Sequence, residues 1–341
     1  MAATPMAFVR AIALAYRLRG ADPAAALREA GVGRADLLDA QARLTSLPFE
    51  RLALRAMREL DDEALGWFGR PLPWGSYGML ARASLSAPTL GVALARWCRH
   101  HALLTSDVIL TLSRDGAVAR LALRERAVPG AALPDVAERA VVREFAHISL
   151  LRNALGISAW WIDARLPLLT LDLACPEPPH ADVYPLLFPG TQLRFGSAHI
   201  EASLPSDILH EPIRRDEAAL RAMLPQAIRL MVRPYRHDRL LLERARLALR
   251  AHPETDAAQL AALLHVSVRT LQRQLASHET CVQALRTRVR QELAEHLLLR
   301  TSWPIKRIAT EVGFASDKSF LRAFRTWTGM SPTDWRMSQS G

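Results

Sequence analysis

Basic and hydroxyl side chains occur twice in the same order near the C-terminus of the 341-residue chain. The matched pairs, 49 residues apart, are Arg269 with Lys318, Thr270 with Ser319, and Arg273 with Arg322. A guanidinium group can donate paired hydrogen bonds to a phosphate or to the edge of guanine, and a hydroxyl group can bond to several base edges. These residue types therefore have the chemistry needed to bind a nucleic acid.

An internal repeat of apolar residues surrounds these pairs and predicts the elements that hold them. The corresponding positions are Leu260 and Ile308, Ala261 and Ala309, Leu264 and Val312, Val266 and Phe314, Leu271 and Phe320, and Leu275 and Phe324. The offset is 48 residues before a short break and 49 after it, so the second copy has one extra residue in its turn. Each copy predicts a helix-turn-helix unit with an exposed basic face, at about 256–276 and 304–326.

The residues around the first turn predict how the units are built. A helix from about Asp256 to Leu264 has Thr255 or Asp256 as its N-cap. His265 then occupies the position that Gly313 has in the second unit. Because glycine at a turn often marks a positive φ, which histidine tolerates better than most residues, both positions are expected to be left-handed.

The second helix of each unit is expected to begin after a serine cap, Ser267 or Ser316, and to expose its polar residues. The candidate DNA-binding residues are Val268, Arg269, Thr270, Gln272, Arg273 and Gln274 in the first unit, and Asp317, Lys318, Ser319, Leu321, Arg322 and Arg325 in the second. Arginine pairs with guanine, glutamine with adenine, and a leucine or threonine methyl group can contact thymine. The matched copies favour this interpretation over a solvated face on an ordinary helical bundle. Because Gln272 corresponds to Leu321, the two units are expected to read different bases.

Positive charge is concentrated where the repeat lies. The chain has a net charge of +10; residues 238–341 carry 16 basic and 10 acidic side chains, and the preceding 237 residues carry 28 and 24. A polyanion would therefore meet the last third of the chain first. Only Lys306 and Lys318 are lysines, so arginines would make most of the contacts.

Composition limits the class of protein further. Half of the residues are apolar and 23% are charged, which is typical of a globular chain. Three cysteines without CxxC spacing argue for a reducing compartment and against a disulfide framework. Arginines interrupt every long apolar run, so neither a membrane span nor a signal peptide is predicted. We expect a cytoplasmic protein.

The first 210 residues or so predict a mixed α+β domain. Helices are expected over 5–70, 90–104 and 133–155, and strands over 108–112, 118–123, 168–173, 192–195 and 200–204. A hairpin is expected across Arg114-Asp115-Gly116.

From Ile213 onward the pattern is wholly helical. Helices are expected over 213–232, 238–252 and 282–300, in addition to the two units. Pro234 is the candidate linker, which divides the chain into domains 1–232 and 233–341.

The second unit and the residues after it resemble the signature of AraC/XylS-type transcriptional regulators. The resemblance rests on Ile308-Ala309, Val312-Gly313-Phe314, Ser319 to Arg325, Gly329-Met330-Ser331-Pro332 and Trp335-Arg336. The first unit, with Ser267 to Arg273, is similar to the upstream helix-turn-helix of the same family. In that family the helix between the units, here 282–300, places two recognition helices in successive major grooves, about 34 Å apart on one face of DNA.

Two positions depart from the family's pattern. Glu279 stands where glycine usually follows the first recognition helix, and Pro304 replaces the usual capping residue of the second unit. Proline is well tolerated in the first turn of a helix. Glu279 bears on how the first recognition helix ends.

The N-terminal part resembles the arabinose-binding-type sensor domain of the subfamily that includes ornithine-utilisation regulators. The segments Ser86 to Gly91 and Leu193 to Gly196, together with Phe188, carry this resemblance. It implies that residues 1–232 bind a small effector or mediate formation of a homodimer. It assigns no individual ligand-binding residue. The family resemblance also implies contact with RNA polymerase and a role as an activator.

Other groups of residues are weaker candidates for chemistry. Cys98 and His101 share a helix face beside His100, but a metal site needs more ligands, so none is expected. Five tryptophans could line an apolar pocket but are expected mostly in the core: Trp67, Trp74, Trp97, Trp160 and Trp161. The chain contains no motif for catalysis or for a nucleotide cofactor, so no catalytic residue, metal or cofactor is expected.

The sequence thus predicts an α+β N-terminal sensor domain followed by an all-α C-terminal domain with two helix-turn-helix units. We expect a transcriptional regulator that binds double-stranded DNA and responds to a small effector, rather than an enzyme. Two alternatives stay open. The chain could be a constitutive DNA-binding regulator whose N-terminal domain only dimerises, or an enzyme domain tethered to DNA.

Overall fold

The structure, a computed structural model, describes residues 3–235, 238–276 and 278–339. Contacts among these residues divide the chain into two compact units, residues 1–236 and 237–341, called here the N-terminal unit and the C-terminal unit. The first mixes helices and strands and the second contains helices, which confirms the predicted fold class. None of the helices in the described residues has the length and apolar character that crossing a bilayer requires.

The N-terminal unit is built from helices around a sheet. Its helices are α1 (Met6–Leu18), α2 (Ala24–Glu29), α3 (Arg34–Leu38), α4 (Ser46–Glu59), α5 (Ser76–Leu85), α6 (Leu90–Leu104), α7 (Val136–Ile162), α8 (Tyr184–Leu187), α9 (Glu217–Met223) and α10 (Ile228–Val232). Its strands are β1 (Ala3–Pro5), β2 (Arg43–Thr45), β3 (Val108–Asp115), β4 (Val118–Glu125), β5 (Thr170–Asp172), β6 (Gln192–Arg194) and β7 (Ile200–Pro205).

Within residues 3–235, the strands form an antiparallel pair, β1 with β2, and a five-stranded sheet in the order β3-β4-β7-β5-β6. Its neighbours are antiparallel except β5 and β6. Alternate residues of β4 are buried, namely Ala119, Leu121 and Leu123, because successive side chains of a strand point to opposite faces. One face of the sheet therefore packs into the core.

Helix α7 is the centre of the N-terminal unit. Nearly all its side chains from residue 144 to 162 are buried, as expected for a helix that is apolar on every side. Its buried carboxylate, Glu144, accepts hydrogen bonds at one oxygen from Tyr184 (2.6 Å) and from His180 (2.7 Å). These bonds compensate for placing a carboxylate in the core.

Arg152 of α7 holds the end of α10. Its guanidinium group donates hydrogen bonds to the carbonyl oxygens of Met231 (2.8 Å), Leu230 (2.9 Å) and Arg233 (2.6 Å), and also to that of Leu187 (3.0 Å). Burial lowers the pKa of Arg152 to about 10. The side chain therefore satisfies carbonyl groups that the end of a helix leaves without partners.

The C-terminal unit consists of helices. They are α11 (Leu240–Ala251), α12 (Ala257–Leu263), α13 (Val268–Ala276), α14 (Val282–Arg300), α15 (Ile305–Glu311), α16 (Asp317–Thr328) and α17 (Pro332–Gln339). The predicted helix over 282–300 is therefore observed with the same bounds.

Helix α14 takes part in both cores of the C-terminal unit. Leu285 and Val289 pack with α11, α12 and α13, whereas Ala294 and Leu298 pack with α15 and α16. Nine residues separate Leu285 from Ala294, which at about 100° per residue is a rotation of about 180°. The two halves of α14 therefore bury opposite faces, and the helix-turn-helix units pack against opposite sides of one helix.

Several sequence-based expectations were wrong. The segment 5–70 contains the strand β2 in addition to helices and starts at the last residue of β1, and α5 was not predicted. The expected helix over 213–232 is two short helices, because Pro225 lies in a 3₁₀ turn between them and has no N–H to continue the helix. The expected hairpin between β3 and β4 is confirmed, with its turn at residues 116–117 and Asp115 still in β3 opposite Val118.

The close approach of α7 and α10 generates a prediction. A Cβ atom at position 156 would lie 2.6 Å from the carbonyl oxygen of Leu230, so Gly156→Ala must push the helices apart. We expect a loss of about 1–3 kcal/mol in the free energy of unfolding. Faster hydrogen exchange in α10 and a lower Tm would report it. Gly69→Ala is the control, because its Cβ would have only an ordinary contact, 3.6 Å from Asp107. Equal effects of the two changes would contradict the prediction.

Candidate DNA-binding surface

The first helix-turn-helix unit consists of α12, a turn at residues 264–267, and α13. Asp256 caps α12, since its Oδ1 atom accepts hydrogen bonds from the N–H groups of Ala258 and Gln259, both at 2.8 Å. The Oε1 atom of Gln259 accepts a bond from the N–H of Asp256 in return (2.9 Å), which completes a capping box. Of the two predicted caps, Asp256 is confirmed.

The turns of the two units have the same left-handed backbone conformation at one matched position. His265 has a φ of 53° and Gly313 a φ of 77°, which confirms the left-handed conformation predicted for both. Each donates its N–H to the preceding helix, His265 to Ala262 (3.0 Å) and Gly313 to Thr310 (2.9 Å). The second turn, residues 312–316, is one residue longer than the first, as the repeat predicted.

Serine caps begin both recognition helices, α13 and α16. The hydroxyl oxygen of Ser267 accepts a hydrogen bond from the N–H of Thr270 (3.1 Å), and that of Ser316 accepts one from Ser319 (3.3 Å). The hydroxyl groups within each pair also bond to each other, at 2.9 Å and 2.7 Å. Thr270 and Ser319 thus help to begin their helices, a role that their sequence match alone did not reveal.

A direct contact links the second turn to the start of the first unit. A Cβ atom at position 313 would lie 2.9 Å from backbone atoms of Pro253 and Glu254, so only glycine fits there. Arg290 of α14 joins the same two segments, because it donates hydrogen bonds to the carbonyl oxygens of Pro253 (2.9 Å) and Gly313 (2.8 Å). Its guanidinium also lies 4.9 Å from the ring centre of Phe314. Sequence reasoning missed this link, since its partners are backbone atoms.

Most candidate residues lie on accessible surface. Thr270 is half-buried, and the others apart from Gln274 are exposed. The prediction that Gln274 faces outward is wrong, because its side chain is only 6% exposed. Gln274 lies three residues after Leu271 and next to Leu275, on the helix face that packs into the core.

The basic residues of the recognition helices are available to a partner. Five cationic side chains of α13 and α16 are exposed: Arg269, Arg273, Lys318, Arg322 and Arg325. Within the described ranges none of them makes a side-chain hydrogen bond or an ion pair. Exposed guanidinium and ammonium groups of this kind bind phosphates and guanine edges.

The position of Glu279 explains the family's glycine. Glu279 has a φ of 54°, which is the left-handed conformation that glycine adopts without strain. Thr280 donates its N–H to the carbonyl of Leu275 (3.1 Å), so the chain still closes the end of α13 in the manner of a glycine cap. The departure at Glu279 therefore adds strain without changing the fold.

Four of the five tryptophans are buried, as expected, namely Trp67, Trp97, Trp160 and Trp161. Trp67 and Trp97, together with Trp74, also line a cavity in the N-terminal unit. Trp74 is 45% exposed, so its expected place in the core is wrong.

Cys98 and His101 are both buried on one face of α6, and burial raises the pKa of Cys98 to about 12. Among the described residues, no three His, Cys, Asp or Glu side chains are grouped so that they could hold a metal ion.

Capped recognition helices, each on its own helix-turn-helix core, define a helix-turn-helix DNA-binding protein. Comparison with known families assigns the chain to a narrower class of these proteins. Residues 20–213 match the arabinose-binding domain of AraC transcription regulators, and residues 260–338 match a helix-turn-helix domain. The chain belongs to the AraC family of transcription regulators.

Relatives agree with this assignment. The chain is 31% identical to the ornithine utilization regulator of Pseudomonas aeruginosa over 315 residues, which cover 91% of this chain and 90% of the relative. It is 26% identical over 327 residues to an uncharacterized HTH-type transcriptional regulator of Mycobacterium bovis, covering 93% and 91%. It is 39% identical to the transcriptional regulator VqsM of Pseudomonas aeruginosa over 75 residues, covering 22% and 23%.

The contact at Gly313 can be separated from backbone strain. Gly313 and Gly329 both have a φ of 77°, but a Cβ at position 329 would meet nothing within 4 Å. Gly329→Ala should therefore cost only the left-handed strain, about 1 kcal/mol. Gly313→Ala should cost about 1–3 kcal/mol more, because the backbone of Pro253 and Glu254 must move. Hydrogen exchange in α15 and α16 measures both, and equal protection in the two variants would rule out the contact.

Strain at Glu279 gives a second prediction. Glu279→Gly should remove the strain, since glycine adopts a positive φ freely. The greater entropy of glycine in the unfolded chain offsets part of this gain, so we expect α13 to be stabilised by about 0.5–1 kcal/mol. Glu279→Ala removes the same carboxylate and keeps the strain, so it should not stabilise the helix. Hydrogen exchange of α13 distinguishes the two, and equal stabilisation by both would point to the charge instead.

Proposed function

We propose that the chain reads a bipartite DNA site, with α13 and α16 entering successive segments of the major groove. The observation that carries the proposal is the set of exposed cations on these two helices that have no ionic partner among the described residues. Contacts of Arg290 and Gly313 hold the two helix-turn-helix units in a fixed relation. Helix α14 has 19 residues and is about 28 Å long, a length compatible with recognition helices one turn of DNA apart. The candidate contacts are the predicted residues without Gln274.

The two halves of the DNA site should differ in sequence. Gln272 of α13 and Leu321 of α16 occupy matched positions, and both are exposed. A glutamine amide can pair with adenine, whereas a leucine side chain can only make an apolar contact, for example with the methyl group of thymine. One monomer would therefore bind an asymmetric site in a defined orientation.

We infer that residues 1–232 form an effector-binding and dimerisation domain and residues 233–341 the DNA-binding domain. The match of residues 20–213 to arabinose-binding domains of AraC regulators supports an effector response. The Pseudomonas relative is named for ornithine utilization, which suggests control by a metabolite. Action as a homodimer in the cytoplasm, with contact to RNA polymerase, completes the proposal.

Removing one arginine from each recognition helix tests the DNA-reading model. Arg273→Ala and Arg322→Ala should each weaken binding to the native promoter by about 1–3 kcal/mol, roughly tenfold or more, and relax base preference in a different half of the site. Fluorescence anisotropy at fixed salt measures affinity, and selection from a random DNA library measures preference.

The control removes the same charge elsewhere. Arg99→Ala takes an exposed arginine from α6, in the N-terminal unit, and should leave affinity and base preference unchanged. The model of two reading helices would be wrong if Arg273→Ala and Arg322→Ala also left both quantities unchanged. A variant that lowers affinity and salt dependence equally for every sequence would assign that arginine to phosphate contact.

A further inference from the structure

The N-terminal unit contains a cavity of about 390 Å³ that the proposed DNA-reading function does not use. Its walls come from α4 to α7, α9 and α10 and are mainly apolar. Trp67, Tyr77 and Trp97 form an aromatic part of the wall, with the rings of Tyr77 and Trp97 edge to face at 5.3 Å. This volume and this lining are typical of sites for small molecules.

Polar atoms of the same wall have no partner within residues 3–235. They are Nε1 of Trp67, the hydroxyl oxygen of Tyr77 and both ring nitrogens of His101. Trp67 and His101 are only 2% and 3% exposed. Asn153 also lines the cavity, and its amide makes no hydrogen bond to the described part of the chain. Because buried polar groups in folded proteins are nearly always satisfied, these atoms are candidates to bond to a ligand that carries hydrogen-bonding groups of its own.

The described interior of the cavity offers a cation one acidic group, and the oxygens of that group already accept hydrogen bonds. Of the described residues that line it, Glu63 alone is acidic. Its two oxygens already accept hydrogen bonds from the N–H groups of Gly75 (2.7 Å) and Tyr77 (2.6 Å). Burial lowers the pKa of His101 to about 4, so its ring is neutral near pH 7 and offers one donor and one acceptor. Burial also raises the pKa of Glu63, which disfavours its charged form, so this carboxyl group is a poor counter-ion for a buried ammonium group.

Cationic groups lie instead at the mouth of the cavity. Arg58 is exposed, and its guanidinium lies 4.9 Å from the ring centre of Trp74. The Arg221 side chain is 72% exposed, and its contact with Glu217 is long, at 3.6 Å. Exposed pairs of this length contribute little, so both guanidinium groups can bind a carboxylate.

We propose that this cavity is the effector site and that its ligand is an aromatic carboxylic acid. The ring lies against Trp67, Tyr77 and Trp97, and the carboxylate binds Arg58 and Arg221. Interior donors and acceptors bond to polar substituents of the ligand. The proposal rests on the effector response proposed above and names the chemistry of its ligand.

The cavity also contacts the segment that leads to the unit boundary. Ile228 and Met231 of α10 line it, and α10 ends at Val232, shortly before the boundary at residues 236 and 237. A bound ligand therefore touches α10 directly. Ligand binding should therefore change the affinity of the protein for DNA, because a ligand that favours one of two conformations raises the population of that conformation.

The test uses the full-length protein and indoles of matched shape. Indole-3-acetate carries a negative charge, indole-3-acetamide none and tryptamine a positive one, and L-ornithine represents a cationic amino acid. Calorimetric titration and the ligand-induced rise in Tm measure binding. We expect saturable binding of indole-3-acetate, about tenfold weaker binding of the amide because it loses charge-assisted bonds, and no saturable binding of the two cations.

Paired variants locate the binding in the cavity. Trp67→Phe keeps an aromatic ring but removes the indole N–H, and Arg221→Gln removes a charge at the mouth; each should weaken indole-3-acetate binding about three- to tenfold. Trp161→Phe is the matched control, because its buried indole N–H also lacks a partner within residues 3–235 but does not line the cavity. Arg99→Gln is the control for charge. Neither control should change the Kd.

Each of the alternative results would contradict a specific part of the proposal. If indole-3-acetate does not bind, or if tryptamine binds equally tightly, the proposed ligand class is wrong. Unchanged binding in Trp67→Phe and Arg221→Gln overturns the assignment of the cavity. If L-ornithine binds and Trp67→Phe weakens its binding, only the proposed ligand class is wrong, and the proposed effector response is unaffected. The affinity for promoter DNA is also measured with and without ligand. If the ligand binds but the affinity for DNA does not change, the proposed effector response is wrong, whichever ligand class binds.

Discussion

The contact of Gly313 with the backbone of Pro253 and Glu254 is the constraint on which the DNA-binding unit depends. Helix α14 separates the two helix-turn-helix units, but a single helix does not by itself fix how each unit is rotated about it. The turn that contains Gly313 meets the segment that precedes α12, and Arg290 bonds to carbonyl oxygens on both sides. Because a side chain at position 313 would prevent this approach, the orientation of the second recognition helix depends on the absence of one Cβ atom.

Arginine has two distinct uses in this chain, which has only two lysines among its 44 basic residues. Arg152, Arg290 and Arg336 point their guanidinium groups at backbone carbonyl oxygens and so join the ends of helices and turns. A planar group with several fixed donors suits this role, whereas a lysine ammonium does not reach several carbonyl groups at once. The arginines of α13 and α16 have no such partners within the described residues, so they stay available to a binding partner, which we propose is DNA.

The sequence predicted what local pattern determines and missed what tertiary contact determines. Apolar spacing and the matched His265 and Gly313 were sufficient for both helix-turn-helix units, their turns and the serine caps. Gln274 was predicted to face outward because its side chain is polar. Its angular position on the helix instead places it on the same face as Leu271. The strands β1 and β2 have three residues each and directly precede α1 and α4, so the helical pattern that follows them was extended over them. The cavity is assembled from separate helices, so no spacing along the chain could reveal it.

Helix α10 is the element through which the cavity could influence DNA binding. With five residues it is far too short to be stable alone, so its position is set by tertiary contacts. Arg152 and the close approach at Gly156 hold one side, and the cavity borders Ile228 and Met231. A ligand bound in the cavity therefore acts on an element without stability of its own. The chain reaches the unit boundary only a few residues after Val232, so α10 is the last described helix of the N-terminal unit before the C-terminal unit begins.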